Sequence, residues 1–93
     1  MELVTFKSIP GATDRAMFRA ANKVTPVLAS LTGFISREFG KTVKTDEWVD
    51  TVMWESLEDA LNAAKNVTSN PAFQPFYSLI APASIQMRHV LVA

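Results

Sequence analysis

Residues 47–55 (EWVDTVMWE) constrain the fold most, because they read as a β-strand that is apolar on both sides. Successive strand side chains point to opposite faces of a sheet. Trp48, Val52 and Trp54 therefore share one face, and Val49 and Met53 share the other. Residues 84–92 (SIQMRHVLV) repeat the pattern, with Ile85, Met87 and Leu91 set against Val90 and Val92. A sheet built from such strands has to be covered twice. Helices supply one cover, and a second sheet has to supply the other.

The remaining segments provide those helices. Residues 2–8 (ELVTFKS) read as a first strand, stopped by the turn signal Ile9-Pro10-Gly11. Thr13 caps a helix with Asp14 in its first turn, and apolar residues recur with helical spacing from Met17 through Ala20, Ala21, Val24, Val27 and Leu28 to Leu31. Gly33 closes it as a left-handed cap. Pro26 predicts a kink or break, since it removes one donor and crowds the carbonyl of Asn22. Residues 34–43 form a second strand, joined to 47–55 as a hairpin through Lys44-Thr45-Asp46. Ser56-Leu57-Glu58-Asp59 resembles a capping box and opens a second helix through Leu57, Ala60, Leu61, Ala64 and Val67. Asn70-Pro71 then starts a short irregular piece over 71–80, interrupted by Pro75, before the strand at 84–92.

The order is β-α-β-β-α-β, the split βαβ or ferredoxin-like arrangement. It predicts one α+β domain over residues 1–93, a four-stranded antiparallel sheet with both helices on one face. The bare face predicts a homodimeric α+β barrel, packed sheet against sheet. The composition agrees with that expectation. A chain of 10.2 kDa exposes about 5,300 Å² when folded. At 48% hydrophobic residues, this one carries more apolar surface than a single small core hides.

Nine basic and nine acidic side chains cancel, so no field steers the protein toward nucleic acid or an anionic bilayer. The strands also lack the basic-aromatic run that stacks bases. The absence of cysteine excludes disulfides, thiolate metal sites and a cysteine nucleophile, and one histidine cannot build a multi-histidine metal site. No metal and no cofactor are expected. The first residues lack a secretory pattern and no apolar run approaches the roughly 20 residues of a membrane span, so a cytoplasmic location is expected.

Val52-Met53-Trp54-Glu55-Ser56-Leu57-Glu58-Asp59-Ala60 resembles the exit of strand three in the dimeric α+β barrel superfamily, where an aromatic closes the strand and a Ser-x-x-acid cap starts the helix. Gly33-Phe34 and Asn70-Pro71-Ala72-Phe73 extend the resemblance over essentially the whole chain. The nearest likenesses are the antibiotic-biosynthesis-monooxygenase-like and NIPSNAP-like proteins. The superfamily houses oxygenases, decarboxylases, haem-binding enzymes and proteins with no known activity, so the resemblance implies the fold more than the chemistry. The haem-degrading branch uses an asparagine, a tryptophan and a histidine where this chain, aligned on Phe73, has Lys7, Val67 and Tyr77. The axial ligand of that branch is therefore missing.

Within this frame several residues bear on chemistry. His89, the sole histidine, is either a base suited to a phenolic or enolic substrate or a hydrogen-bonded residue at a strand end. Tyr77 either meets a polar ligand between the second helix and the sheet or plugs the core with its hydroxyl outward. Arg37 and Arg88 bind a carboxylate or phenolate, or make salt bridges along the sheet rim or dimer seam. Asp50 shares the parity of Trp48, Val52 and Trp54, and a carboxylate on an apolar face needs a partner. It is either half of a buried pair with an arginine or a functional carboxylate. Trp54 and Phe73, with Trp48 and Phe76, line an aromatic pocket or fill the core. Met17, Met53 and Met87 read the same way. The functional assignment is His89 and Tyr77 as catalytic residues, with Arg37, Asp50, Trp54 and Phe73 as ligand-binding residues. Three functions fit. One is a cofactor-independent, monooxygenase-like enzyme acting on a phenolic or polycyclic compound. Another is a non-catalytic ligand-binding or stress-related barrel. The third is an enzyme of different chemistry in the same superfamily, such as an isomerase or decarboxylase. The interruptions at Pro26 and Pro75 place any site between helices and sheet, near the second helix.

Overall fold

The computed structural model describes residues 1–93 and places β3 (Glu47–Trp54) at the centre of the structure. Its side chains alternate strictly, with Trp48, Asp50, Val52 and Trp54 buried and Glu47, Val49, Thr51 and Met53 half-buried. On either side lie β1 (Glu2–Lys7) and β2 (Phe34–Lys41), both antiparallel to it. β4 (Gln86–His89) completes the antiparallel sheet on the far edge of β1, giving the order β2-β3-β1-β4. The chain is thus the α+β, ferredoxin-like domain that its element order implies.

The register decides which residues meet. Phe6 lies opposite Trp48, Val4 opposite Asp50 and Met87, and Glu2 opposite Val52 and His89. On β2, Arg37 faces Val52 and Phe39 faces Asp50. Paired residues share a face, so Glu2, Val4, Phe6, Arg37, Phe39, Asp50, Met87 and His89 all stand on the side that carries the helices. Leu3, Val49, Met53 and Arg88 stand on the open side.

α1 (Asp14–Ala29) starts where Thr13 Oγ1 accepts from the Ala16 N–H at 3.1 Å. Of the kink or break expected at Pro26 there is no break: the helix runs on through the proline. The proline removes a single backbone bond, while Val24 and Leu28 on either side of it remain buried in the core. The helix also ends before Gly33. Ser30, in a right-handed conformation, turns its N–H back on Val27 and Leu28, and Gly33 follows at φ +84° to direct the chain into β2. A Cβ at Gly33 would strike the side chain of Asp59. Gly33 is therefore a turn residue rather than the helix cap.

α2 (Leu57–Val67) begins at Ser56, whose Oγ accepts from the Asp59 N–H at 3.0 Å. A 3₁₀ turn at Pro71–Phe73, the short α3 (Gln74–Tyr77) and a second 3₁₀ turn at Pro82–Ser84 carry the chain back to the sheet. β4 is shorter than the predicted 84–92. Beyond His89 only Val90 still pairs, giving its N–H to the Met1 carbonyl at 2.7 Å and accepting from the Met1 amino group at 2.8 Å. The ladder ends there, and Leu91 is 99% exposed. The core is centred on Phe6, Met17, Val24 and Trp48, all fully buried. No helix is long and apolar enough to cross a membrane.

Candidate functional site

The helix-bearing face of the sheet divides into two halves. Under α1, Arg37 and Asp50 form a bidentate pair, Nε to Oδ1 at 2.9 Å and Nη2 to Oδ2 at 2.6 Å. Nη1 donates to the Ala21 carbonyl at 2.6 Å and to Thr25 Oγ1 at 3.0 Å. The guanidinium also lies 5.3 Å from the Phe39 ring centre and 5.6 Å from that of Phe76. Four of its five N–H donors are therefore occupied, and the side chain is only 2% exposed. This resolves the choice posed by Asp50, which is half of a buried pair. Arg37 has too little donor capacity left to serve as an anion receptor.

Under α2 the packing opens. A cavity of about 230 Å³ lies between the sheet and the α2–α3 layer, walled by Val4, Val52, Trp54, Val67, Phe73 and Phe76. Ile85 and Met87, each about half exposed, form its rim at the β4 edge. α2 contributes small side chains here, Ala63 and Ala64, which leaves the room. Four polar side chains reach the wall: Glu2, Arg37, Asp50 and Tyr77. With Arg37 and Asp50 bound to each other, the groups open to a ligand are Glu2 and Tyr77.

Glu2 sits across the strand pair from His89, with Oε2 3.4 Å from Nε2. Burial pushes the Glu2 carboxyl above the ordinary glutamate range, and the negative charge of Asp50 adds to this. The nearby His89 opposes the shift. So does Trp54, whose buried Nε1–H lies beside the carboxyl without reaching a hydrogen-bonding partner. Tyr77 stacks on Phe73 with ring centres 5.8 Å apart. Burial and the charges of Glu2 and Asp50 raise its phenol, outweighing the opposing Arg37. It stays a neutral hydrogen-bond donor at neutral pH.

His89 does not line this cavity. It opens instead onto a separate outer groove with Met53, Ser56, Leu57 and Val90, and Trp54 forms the wall shared by the two spaces. Of the residues assigned from sequence, Tyr77, Trp54, Phe73, Arg37 and Asp50 surround the cavity, and His89 touches it only through Glu2. Arg88 stands on the open face of the sheet. Glu2 itself was missed. Its signal was parity: it precedes Val4 and Phe6 at two-residue spacing, which puts a carboxylate on the same face as a buried phenylalanine.

No protein-family model matches the sequence, and no curated protein matches it. Solved structures do share its fold. SnoaB, a cofactor-independent oxygenase from Streptomyces nogalater, is similar at a TM-score of 0.71 and 11% identity, over 99% of this chain and 92% of that one. A NIPSNAP-like domain protein from Burkholderia xenovorans gives 0.69 and 15%, over 99% and 83%. A protein described as a candidate antibiotic biosynthesis monooxygenase from Chloroflexus aurantiacus gives 0.64 and 20%, over 99% and 93%. At these identities the likeness establishes a common fold and leaves the chemistry to the site.

Proposed function

We propose that the chain binds a small, largely apolar compound bearing a phenolic or enolic hydroxyl, and that it acts on it in the manner of a cofactor-independent monooxygenase. The observation that carries this reading is the apolar cavity, open at the β4 edge, that Glu2 and Tyr77 both line. Volume narrows the ligand. A cavity of about 150 Å³ takes one benzene, and drug-sized ligands occupy roughly 300–1,000 Å³. At about 230 Å³ the space suits one or two fused rings. In this chemistry the protein removes a proton from the electron-rich ligand and holds the anion while dioxygen reacts with it. Tyr77 orients a ligand oxygen by donating to it, and the apolar walls keep water from the anion. The test is a thermal-shift screen of one- and two-ring phenols, followed by oxygen-electrode measurements with each binder. Binders that consume oxygen only with protein present support the reading. Binding without oxygen uptake would make the protein a carrier instead, and no binder at all would remove the site.

The same reading makes the working unit a homodimer. The isolated chain exposes 6,033 Å², above the about 5,300 Å² expected of a folded monomer of its mass. Leu3, Val49 and Met53 lie together on the open face of the sheet, with no helix over them. Sheets that pack face to face stand about 10 Å apart with their side chains interdigitated. Val49→Asp or Met53→Asp would put a charge into that layer. Sedimentation at micromolar concentration is expected to give twice the chain mass for the parent and a single chain mass, or unfolding, for the variants. A monomeric parent would refute the dimer.

A further inference from the structure

Glu2 and His89 are paired across β1 and β4, but they open onto different spaces. Glu2 lines the inner cavity and its side chain is 13% exposed; His89 lines the outer groove and its side chain is 30% exposed. Glu2 Oε2 and His89 Nε2 are 3.4 Å apart. Apart from the Trp54 wall, this pair is the link between the two spaces. No other acid–base pair in the cavity is free to act, because Asp50 is held at both oxygens by Arg37.

We propose that Glu2 and His89 form a proton relay that carries a proton from a weakly acidic hydroxyl in the cavity to water in the outer groove. The proposal rests on the cavity being a ligand site, as argued above, and it identifies the proton acceptor as Glu2 rather than His89. The ligand O–H bond breaks, and its electron pair stays on the ligand oxygen. The proton forms an O–H bond on the Glu2 carboxylate. Neutral His89 takes that proton at Nε2, becoming an imidazolium, and loses its Nδ1 proton to water in the groove; tautomer exchange through that water then restores both groups. No oxidant or metal is needed for these steps. The charged and titratable groups facing Glu2 favour this direction of transfer. Asp50 on β3 raises the proton affinity of Glu2, while His89 on β4 and the Trp54 N–H on β3 keep an ionised form accessible. Arg37 on β2 is neutralised by Asp50, Tyr77 on α3 is a neutral donor, and α2 adds no charge to the cavity wall. A ligand that is already anionic would meet only Glu2 as an unpaired charge, so the site selects neutral hydroxyl donors over carboxylates.

The test uses 2-naphthol, a two-ring phenol whose excited state is strongly acidic and whose anion emits at longer wavelength than the neutral form. Bound to the parent protein and excited as the neutral form, it is expected to show anion emission. With Glu2→Gln, binding measured by thermal shift persists, and the ratio of anion to neutral emission falls at least tenfold. With His89→Ala or His89→Gln, anion emission persists at high pH but vanishes at a higher pH on acidification, because His89 no longer holds the Glu2 carboxyl down. In the same variants a pH-indicator dye reports slower proton release to bulk solution after a light flash. A pair that only tied β4 to β1 would change melting temperature and leave these optical readouts alone. Bound 2-naphthol with undiminished anion emission in Glu2→Gln overturns the relay while leaving the ligand site standing. An unchanged midpoint and release rate in both His89 variants overturns the part of His89. Absence of 2-naphthol binding to the parent removes the ligand site, and the relay with it.

Discussion

The two halves of the helix-bearing face each hold a carboxylate over the same sheet, and they treat it in opposite ways. Under α1, Asp50 has both oxygens engaged by one guanidinium, which is itself tied to the Ala21 carbonyl and to Thr25 and lies against Phe39 and Phe76. Under α2, Glu2 has a single imidazole at 3.4 Å and empty space in front of it. A charge closed on all sides can only hold parts together. A charge closed on one side keeps the freedom to exchange a proton, and the shifted Glu2 and Tyr77 both belong to that half. The sealed half sets the distances on which the open half depends, because Arg37 and Asp50 form part of the cavity wall.

The largest expected effect comes from unsealing the first half. Arg37→Met leaves Asp50 buried without its partner, which costs about 3–5 kcal/mol. In a domain of this size, that corresponds to a melting temperature lower by at least about 12 °C. The double variant Arg37→Met/Asp50→Leu is expected to recover most of the loss, since the orphaned charge goes with it. A double variant as unstable as the single one would mean that packing, not charge, dominates there.

Closing the second half is the next step down. Ala64→Phe places a ring in the existing void, so ligand-induced thermal shifts should disappear. The free protein should change in stability by less than the about 1–3 kcal/mol that overpacking a filled core costs. Unaltered ligand shifts would put the binding site elsewhere. Tyr77→Phe removes one donor and leaves the ring stack on Phe73. It is expected to weaken hydroxyl-bearing ligands by about 1 kcal/mol, roughly fivefold in Kd by titration calorimetry.

The smallest effect is on stability through Glu2. Its folded-state carboxyl is raised, so the folded protein binds that proton more tightly than the unfolded chain does. Stability from this group is fully present below the ordinary glutamate value of 4.5 and is lost as pH rises through the folded value. Glu2→Gln should therefore melt higher than the parent at neutral pH, with the advantage shrinking as the pH approaches 4.5. A variant less stable than the parent at neutral pH would show that the His89 contact outweighs burial.

Much of this architecture was legible in the residues, for local reasons. Thr13, Ser56 and Asn70 each mark a helical start by their own side chains, and the alternation of β3 dictates its two faces. Asp50 announced a partner because an apolar face does not tolerate a lone carboxylate. What escaped depends on register and on context. Nothing near Glu2 in sequence tells that it lies opposite His89, and the continuity of α1 across Pro26 comes from the core packing of Val24 and Leu28. The length of β4 likewise follows its neighbour: past His89 only the bonds between Val90 and Met1 continue its pairing with β1.

The pairing of Glu2 with His89 joins the first strand of the domain to its fourth. It therefore gives the site a place in the order of synthesis. While the nascent chain stops short of residue 86, β1 has β3 on one side and a bare edge on the other, and the cavity lacks the rim that Ile85 and Met87 form. An unpaired edge beside an open apolar hollow is the kind of surface on which chains associate wrongly. Synthesis of β4 thus completes the wall, and variants that disrupt β4 should show themselves as insolubility before they show themselves as lost binding.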